Sequence, residues 1–309
     1  MSDTPGHEFH PEIAARLKHA VGKEPELLWA PLGPPEEWDL EIEDRAIPGP
    51  DVQIPVRIYR PRGEAAAVRS ALVWLHGGAW VGGDLDMPEA HETARGVAGR
   101  AGAVVVSVDY RLCGENVHFP APHDDAVAAY RWVREEAVEL GVDPARIAVG
   151  GASAGADLAA GAVLRLRDEQ ETPWQALLLY PCVHVPLPEP SPELAAALEM
   201  LPAALHMGDD LMDELIPIFL NGPIETASPY AFPGFAEDLH GFPPTYLDND
   251  EFDTLRSSGE LFGDQLRAAG VEVEQVTSFG VLHGHLNIVG LDAAHATLDR
   301  MAARLRRTS

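Results

Sequence analysis

Several residue types are scarce in this chain of 309 residues. It has only two cysteines, Cys113 and Cys182, and only two lysines, Lys18 and Lys23. Two cysteines outside a C-x-x-C spacing indicate neither a disulfide framework nor a cysteine-based zinc site. The 22 basic residues face 49 acidic ones, so the formal net charge is −27. Such a negative field repels nucleic-acid phosphates and anionic lipid headgroups, and therefore argues against binding to nucleic acid or to a membrane surface.

A long hydrophobic run is missing as well. Hydrophobic residues make up 46% of the chain, which is enough for a buried core but is spread too evenly for a membrane span. The first twenty residues carry Asp3, Glu8 and Glu12 and lack the apolar stretch of a secretory signal peptide. We therefore expect a globular protein located in the cytoplasm.

Short apolar runs and helical patterns alternate along most of the chain. A strand pair is predicted on either side of Pro48, Gly49 and Pro50, and later runs lie at 71–75, 104–108, 147–149, 176–180, 245–247 and 271–276. Uninterrupted apolarity in most of these runs is typical of parallel strands that are covered on both faces. The fold class is therefore predicted as α/β, with a mostly parallel sheet between two layers of helices.

Four amphipathic segments predict the covering helices, at 121–140, 154–167, 257–269 and 291–307. Val138 is expected on the buried stripe of the first segment, and Leu261 on that of the third. Two stretches lack the strand and helix alternation, namely residues 1 to about 36 and 181 to about 239. A loop as long as the second stretch is usually a lid or a binding element in a compact domain.

Two glycine-containing motifs carry the chemistry. Residues 151–155 (GASAG) form a G-x-S-x-G motif between a predicted strand and a predicted helix, where a sharp elbow would expose the hydroxyl of Ser153 at a helix N-terminus. Residues 76–80 (HGGAW) follow another predicted strand, and adjacent glycines there leave backbone N–H groups free to hold a developing oxyanion. The alternative for both segments is a glycine-rich turn chosen for packing.

Six short motifs follow one another along the chain: HGGAW at 76–80, VDYRLCGE at 108–115, FPAPHDD at 119–125, GASAGA at 151–156, EFDTLR at 251–256 and GVLHGH at 280–285. In kind and order they resemble the motifs of the hormone-sensitive-lipase-like family of α/β-hydrolase carboxylesterases. The resemblance implies one α/β-hydrolase domain over 1–309 with an eight-stranded sheet. It also implies a helical cap formed by residues 1 to about 36 and about 181 to 239.

This chain departs from the family's motifs at several positions. Ala79 replaces the third glycine of the H-G-G-G motif, Ala152 replaces the aspartate before the serine, and Cys113 with Gly114 replaces an Ala-Pro pair. His285 stands where the family has an aromatic residue, and we expect it to make the rim of the pocket more polar. These changes are expected to alter rate and substrate preference, since Ala79 still offers a backbone N–H.

The resemblance assigns Ser153 as the nucleophile, Asp253 as the acid and His283 as the general base, in the chain order of α/β-hydrolases. Asp250 is the alternative acid, because several carboxylates crowd the end of one predicted strand. His285 is the alternative base. A metal site built on His283 and His285 lacks a third ligand at a sensible spacing, so we expect no metal.

The oxyanion is expected to be held by the N–H groups of Gly77, Gly78 and Ala154, with the ring of His76 bracing the loop. The function that follows is hydrolysis of neutral short- to medium-chain carboxylic esters through an acyl-enzyme, without a cofactor. Two alternatives remain open: an arylformamidase or amidase using the same residues, and a non-catalytic ligand-binding protein of this fold. The only partner expected is a small-molecule ester, and the sequence is compatible with a homodimer.

Overall fold

A computed structural model describes residues 7–20, 24–63 and 68–307 of the chain. Eight strands of these ranges form one sheet in the spatial order β1-β2-β4-β3-β5-β6-β7-β8. The strands are β1 (Leu40–Pro48), β2 (Gln53–Pro61), β3 (Arg69–Leu75), β4 (Val104–Val108), β5 (Val142–Ala152), β6 (Ala176–Leu179), β7 (Thr245–Phe252) and β8 (Val273–Leu282). β2 pairs antiparallel with β1 and β4, and all other pairs are parallel, so the mostly parallel sheet predicted from the sequence is confirmed.

Helices cover both faces of this sheet. They are α1 (Pro11–Ala20), α2 (Pro88–Ala101), α3 (Ala121–Glu135), α4 (Ala137–Leu140), α5 (Ala154–Asp168), α6 (Pro192–Leu198), α7 (Asp209–Leu220), α8 (Arg256–Ala268) and α9 (Asp292–Leu305). One buried core lies under α3, α5 and α8, and a second lies under α2 and α9. No helix in the described ranges is both long and apolar enough to cross a membrane.

The central strands show why their apolar runs are continuous. In β3, Val73 and Leu75 belong to the first core, whereas Leu72 and Trp74 belong to the second. Successive side chains of a strand point to opposite faces, so a strand between two helical layers has to be apolar at every position. This confirms the prediction of a sheet covered on both sides.

Two of the predicted helical stripes were partly wrong. Val138 is 96% exposed because the chain leaves helical geometry at Glu136, between α3 and α4, and the phase of the stripe does not carry across that break. Leu261 is 38% exposed. Phe262, which was predicted on the same stripe, is buried, and Leu261 lies about 100° away from it around the helix, nearer to the solvent side.

The two stretches outside the strand and helix alternation lie beside the carboxyl ends of β7 and β8. In the N-terminal stretch, the N–H of His10 donates to the carbonyl oxygen of Gly280 at 2.8 Å, and the indole Nε1–H of Trp29 donates to the carbonyl oxygen of His283 at 3.2 Å. In the second stretch, α6 packs against β7. Both stretches therefore cover the edge where the parallel strands end.

Candidate active site

The site begins at a strained turn between β5 and α5. Ser153 has φ 54° and ψ −123°, a left-handed conformation that is rare for a residue with a side chain. A Cβ at Gly151 would collide with the carbonyl oxygen of Gly155, and a Cβ at Gly155 would collide with that of Leu75 in β3. The two glycines therefore let the start of α5 approach the neighbouring strand, which leaves the serine at the tip of the elbow.

The structure brings the three predicted side chains of the triad into hydrogen-bond contact. Ser153 Oγ lies 2.8 Å from His283 Nε2, and His283 Nδ1 lies 2.8 Å from Asp253 Oδ2. Asp253 follows β7 and His283 follows β8, so both stand at the carboxyl edge of parallel strands. Asp253 is 1% exposed, and its Oδ1 accepts the N–H of Leu255 at 2.8 Å. An acceptor on Nδ1 favours the tautomer whose Nε2 can take the seryl proton.

Carboxylates dominate the electrostatics of His283. Burial disfavours the charged imidazolium, but the charge of Asp253, its hydrogen bond and the charge of Asp250 outweigh burial. The pKa of His283 is therefore raised above its ordinary value of 6.5. The imidazole is a stronger base than that of a free histidine. As the pH falls, it therefore becomes protonated at a higher pH than a free histidine does.

The loop after β3 presents backbone N–H groups next to the elbow. Gly78, Ala79 and Trp80 have φ of 120°, 53° and 63°, so three consecutive residues are left-handed. The N–H groups of Gly78, Ala79 and Ala154 donate to no acceptor within the described parts of the chain. They remain available to an oxyanion.

Gly77 does not fit its predicted role. Its N–H donates to Oε1 of Glu89 at 2.6 Å, so this amide hydrogen is already taken by a buried carboxylate. The prediction that Gly77 is an oxyanion donor was therefore wrong. In this loop the N–H groups of Gly78 and Ala79 are instead free of any described acceptor, although the sequence credited Ala79 only with keeping a backbone N–H.

His76 lies behind the same loop and is fully buried. Its Nδ1 lies 2.6 Å from the carbonyl oxygen of Gly77, and its ring stacks on that of Tyr110 with centroids 4.5 Å apart. The hydroxyl of Tyr110 donates to the carbonyl oxygen of His76 at 2.7 Å. The ring touches the loop and not the triad, as expected of a bracing residue.

The alternative acid and base pair with each other. His285 Nδ1 lies 2.6 Å from Asp250 Oδ1, and His285 Nε2 lies 3.0 Å from Thr297 Oγ1. Both members of the pair are fully buried, so the expectation that His285 makes the pocket rim polar was wrong. Burial raises the pKa of Asp250 to about 6, although the neighbouring His285 opposes that rise.

Two groups of described side chains place possible metal-ligating atoms within 4.8 Å of one another. One contains Asp250, Asp253 and His283, where Asp253 is hydrogen-bonded to His283 and Asp250 to His285. The other contains His7, Glu193 and Glu251, where His7 Nδ1 lies 2.7 Å from Glu251 Oε1 and Arg256 engages Glu193. Both groups are held together by hydrogen bonds and ion pairs among protein side chains.

Sequence reasoning missed two acidic residues that hold the site. Asp157, one turn after the serine, accepts the indole Nε1–H of Trp80 at 3.1 Å and so ties the oxyanion loop to α5. Glu89 holds Gly77. It directly follows Pro88 in the first turn of α2, where an acidic residue is an ordinary sign of a helix start. Nothing in that signal predicts that its side chain turns inward.

A mostly apolar cavity of about 210 Å³ opens beside His283. Its wall is formed by residues from the N-terminal stretch up to about residue 36, from the stretch between 181 and about 239, and from the end of the sheet. Its apolar lining includes Trp29 from the first stretch, Leu201, Leu205 and Leu211 from the second, and Phe252 and Leu282 from the sheet. Such a lining suits an apolar group attached to the reacting carbonyl.

Comparison with known proteins agrees with this geometry. A family model described as an alpha/beta hydrolase fold matches residues 72–287. Carboxylesterase NlhH of Mycobacterium tuberculosis is 39% identical over 306 residues, covering 96% of this chain and 89% of that protein, and esterase LipI of the same organism is 37% identical, covering 87% and 82%. A hyperthermophilic esterase from the archaeon Pyrobaculum calidifontis superimposes with a TM-score of 0.77 at 37% identity, covering 86% of this chain and 85% of that chain.

Proposed function

This chain belongs to the hormone-sensitive-lipase-like family of α/β-hydrolase carboxylesterases and is a carboxylic ester hydrolase, and we propose that it cleaves neutral short- to medium-chain esters through an acyl-enzyme on Ser153. The single observation that carries the assignment of the residues is the hydrogen-bonded series from Ser153 through His283 to Asp253, with both distances at 2.8 Å. We treat residues 1–309 as one domain, with its cap formed by residues 1 to about 36 and about 181 to 239.

In the proposed mechanism, Ser153 attacks the ester carbonyl while His283 takes its proton. The same imidazole then gives that proton to the leaving alcohol, and Asp253 stabilises the imidazolium and keeps its orientation. Water attacks the acyl-enzyme in the second half of the reaction, with His283 again as the base, and the proton passes from His283 to Ser153 Oγ as the carboxylic acid leaves. No metal ion and no organic cofactor enters these steps.

The oxyanion of each tetrahedral intermediate is assigned to the N–H groups of Gly78, Ala79 and Ala154. Their lack of a protein acceptor in the described ranges supports this choice. Losing one such donor usually costs about 100- to 1,000-fold in kcat. His76 is proposed to brace the loop through the carbonyl of Gly77.

The size of the cavity supports short to medium acyl chains. Its 210 Å³ lies below the roughly 300–1,000 Å³ of common small-molecule pockets, and its wall includes both proposed cap segments. The net charge of −27 favours neutral esters over anionic ones.

The test is a panel of nitrophenyl esters run on the wild type and on Ser153→Ala. We expect acetate and butyrate to be cleaved far faster than palmitate, an organophosphonate to label the wild type, and the variant to show neither turnover nor labelling. Faster cleavage of palmitate would contradict a cap that limits the length of the acyl chain. Labelling of Ser153→Ala would contradict the assignment of Ser153 as the nucleophile. A wild type that neither turns over nor labels would favour a non-catalytic ligand-binding protein.

An aryl formamide and an aryl acetate compared side by side would decide between the ester and the amide activity. Faster turnover of the formamide would identify the arylformamidase alternative. The cytoplasmic location and the homodimer remain predictions from the sequence. Cell fractionation and sedimentation equilibrium would test them.

A further inference from the structure

Glu89 is a buried carboxylate that the proposed reaction does not use. Its side chain is 2% exposed and accepts three hydrogen bonds. Oε1 accepts the N–H of Gly77 at 2.6 Å, while Oε2 accepts the hydroxyl of Tyr180 at 2.7 Å and the amide Nδ2–H of Asn287 at 3.3 Å. These donors come from three separate parts of the active site.

Each donor belongs to a segment that carries a functional group. Gly77 leads into the oxyanion loop. Tyr180 follows β6, and its ring meets that of His283 edge-on, with centroids 5.0 Å apart. Asn287 lies four residues after His283, and its Oδ1 accepts the backbone N–H of Glu89 at 3.3 Å. The carboxylate of Glu89 thus links the oxyanion loop to Tyr180, which packs against His283, and to Asn287, which follows His283 in the chain.

Neutral donors compensate the buried charge of Glu89. Among the described residues, no arginine or lysine side chain contacts it. The residue lies in the first turn of α2, where the positive end of the helix dipole stabilises an anion. A buried carboxylate with three hydrogen bonds and no counter-ion holds its donors tightly, because losing any of them leaves charge unsolvated.

The oxyanion loop needs such an anchor, because Ala79 and Trp80 are left-handed although neither is glycine. A strained backbone of this kind persists only where its surroundings hold it. A Cβ at residue 77 would lie 2.5 Å from Glu89 Oε1 and 3.2 Å from the Cβ of Ser153. The first glycine after His76 therefore makes room for the carboxylate.

We propose that Glu89 is a positioning residue, whose carboxylate fixes the Gly77 peptide so that the next two N–H groups stay aimed at the reacting carbonyl. This inference rests on the proposed function of Ser153 and His283. It also explains why the oxyanion donors begin one residue later than the sequence predicts. A displacement of about 1 Å in such a loop can cost about 100-fold in rate.

The charge of Glu89 has a second, separable effect. The charges that act on His283 include Asp250 at the end of β7, Asp253 just after it and Glu89 from α2. The ring of Tyr180, just after β6, and the hydroxyl of Ser153 also contact His283. Negative charge on Glu89 stabilises the imidazolium of His283, so removing that charge lowers the pKa of His283. A purely structural role would leave that pKa where it is.

Two substitutions separate the anchor from the charge. Glu89→Ala removes both, and we expect kcat on a nitrophenyl butyrate to fall about 10- to 100-fold, with KM changed less than about threefold. Glu89→Gln keeps an oxygen for the N–H of Gly77, so we expect a smaller loss of kcat and an acid limb of the pH profile at lower pH than in the wild type.

The matched control is Glu92→Gln on the same helix. The carboxylate of Glu92 pairs with Arg95, and this variant should behave as the wild type.

The outcomes are distinguishable from a failure of the proposed function. NMR of labelled imidazoles follows the titration of His283 without substrate, with its resonance assigned through a His283→Ala variant. A wild type that cleaves no ester overturns the proposed function and with it the inference, whereas a failure of the inference alone leaves the wild type active. A Glu89→Ala variant that folds and keeps kcat within twofold of the wild type overturns the inference, and an unchanged His283 titration in Glu89→Gln overturns the effect assigned to its charge. If Glu89→Ala fails to fold, Glu89→Asp gives the kcat comparison instead, with the same twofold limit, because it keeps the charge but draws the acceptor away from the N–H of Gly77 by one methylene group.

Discussion

Three buried carboxylates surround one imidazole, and their partners separate their roles. Asp253 is hydrogen-bonded to Nδ1 of His283, whereas Asp250 is hydrogen-bonded to His285. Glu89 accepts hydrogen bonds from Gly77, Tyr180 and Asn287. Two of the three carboxylates therefore cannot replace the triad acid without breaking other contacts. Their charges still act on His283 over a short distance, because a buried site screens them little.

The pH dependence of wild-type activity follows from this environment. The proposed base has to be neutral, and its pKa is raised above 6.5 by neighbouring carboxylates that outweigh burial. We therefore expect the acid limb of kcat/KM to have its midpoint above pH ~6.5, with activity falling as the pH drops through it. A pH profile of kcat/KM on a neutral ester checks this. Activity that stays level down to about pH 4 would contradict His283 as the base.

Replacing His285 by phenylalanine tests how much the pair of His285 and Asp250 contributes to the free energy of unfolding. His285→Phe restores an aromatic residue but leaves Asp250 buried without its partner, so we expect a loss of about 3 kcal/mol in the free energy of unfolding at pH 8. The pKa of Asp250, already raised to about 6, would rise further. The folded variant then binds a proton that the unfolded chain does not, so its stability declines as the pH rises.

Urea unfolding at pH 5.5 and pH 8 measures both parts of this prediction. Relative to the double variant His285→Phe with Asp250→Asn, which lacks the titrating group, His285→Phe should lose less stability at pH 5.5, where Asp250 can take up a proton, than at pH 8. The double variant His285→Phe with Asp250→Asn is the matched control and should regain stability at pH 8. Equal losses at the two pH values would show that Asp250 does not carry the cost.

At the scale of elements, the junction of β5 and α5 controls the position of the nucleophile. Its two glycines leave no room for a methyl group, because α5 begins against the carbonyl oxygens at the end of β3. The N–H of Ser153 donates to the carbonyl oxygen of Leu179 at 2.9 Å, which ties the elbow to β6 as well. A shift of α5 therefore moves the hydroxyl away from His283.

We expect Gly155→Ala to lower both stability and activity. The added Cβ would meet the carbonyl oxygens of Leu75 and His76, which are backbone atoms that cannot move aside alone. Overpacking of this kind costs about 1–3 kcal/mol or more. Gly114→Ala is the control, because a Cβ there meets nothing within 4 Å. Thermal unfolding and nitrophenyl butyrate turnover give the comparison, and a Gly155→Ala variant that matches the control would contradict the packing argument.

The sequence predicted those parts of the fold that depend on local pattern. Val104–Val108 was found with its observed bounds, since all four valines of this strand belong to one of the two cores. The elbow at Ser153 was found because its backbone needs glycines. Contacts between distant segments were predicted only where the family motifs imply them, as for Ser153, His283 and Asp253, and the others escaped prediction. The pairing of Glu89 with Gly77, and of His285 with Asp250, depends on where helices and strands meet, which a single sequence does not reveal.

At the scale of the whole molecule, acidic residues exceed basic ones by more than two to one. Many arginines lie against carboxylates, as Arg57 does with Asp44 and Asp86, and Arg111 does with Asp125. Pairing of this kind consumes the positive charge and leaves an excess of 27 acidic groups uncompensated. Each exposed pair adds little to stability, but the excess sets the sign of the field that a substrate meets.

The field predicts discrimination between esters that differ only in charge. A nitrophenyl ester with a terminal carboxylate, such as the hemisuccinate, should have a kcat/KM at least about 10-fold below that of the butyrate at low ionic strength, because the protein repels it on approach. Raising the salt concentration should narrow the ratio, since the screening length falls from about 10 Å at 0.1 M to about 3 Å at 1 M. The butyrate serves as the control, as its kcat/KM should change little with salt. Any preference for the butyrate that survives at 1 M salt would come from the carboxylates close to His283. A kcat/KM ratio of the two esters near one at every salt concentration would show that the surface charge has no part in substrate choice.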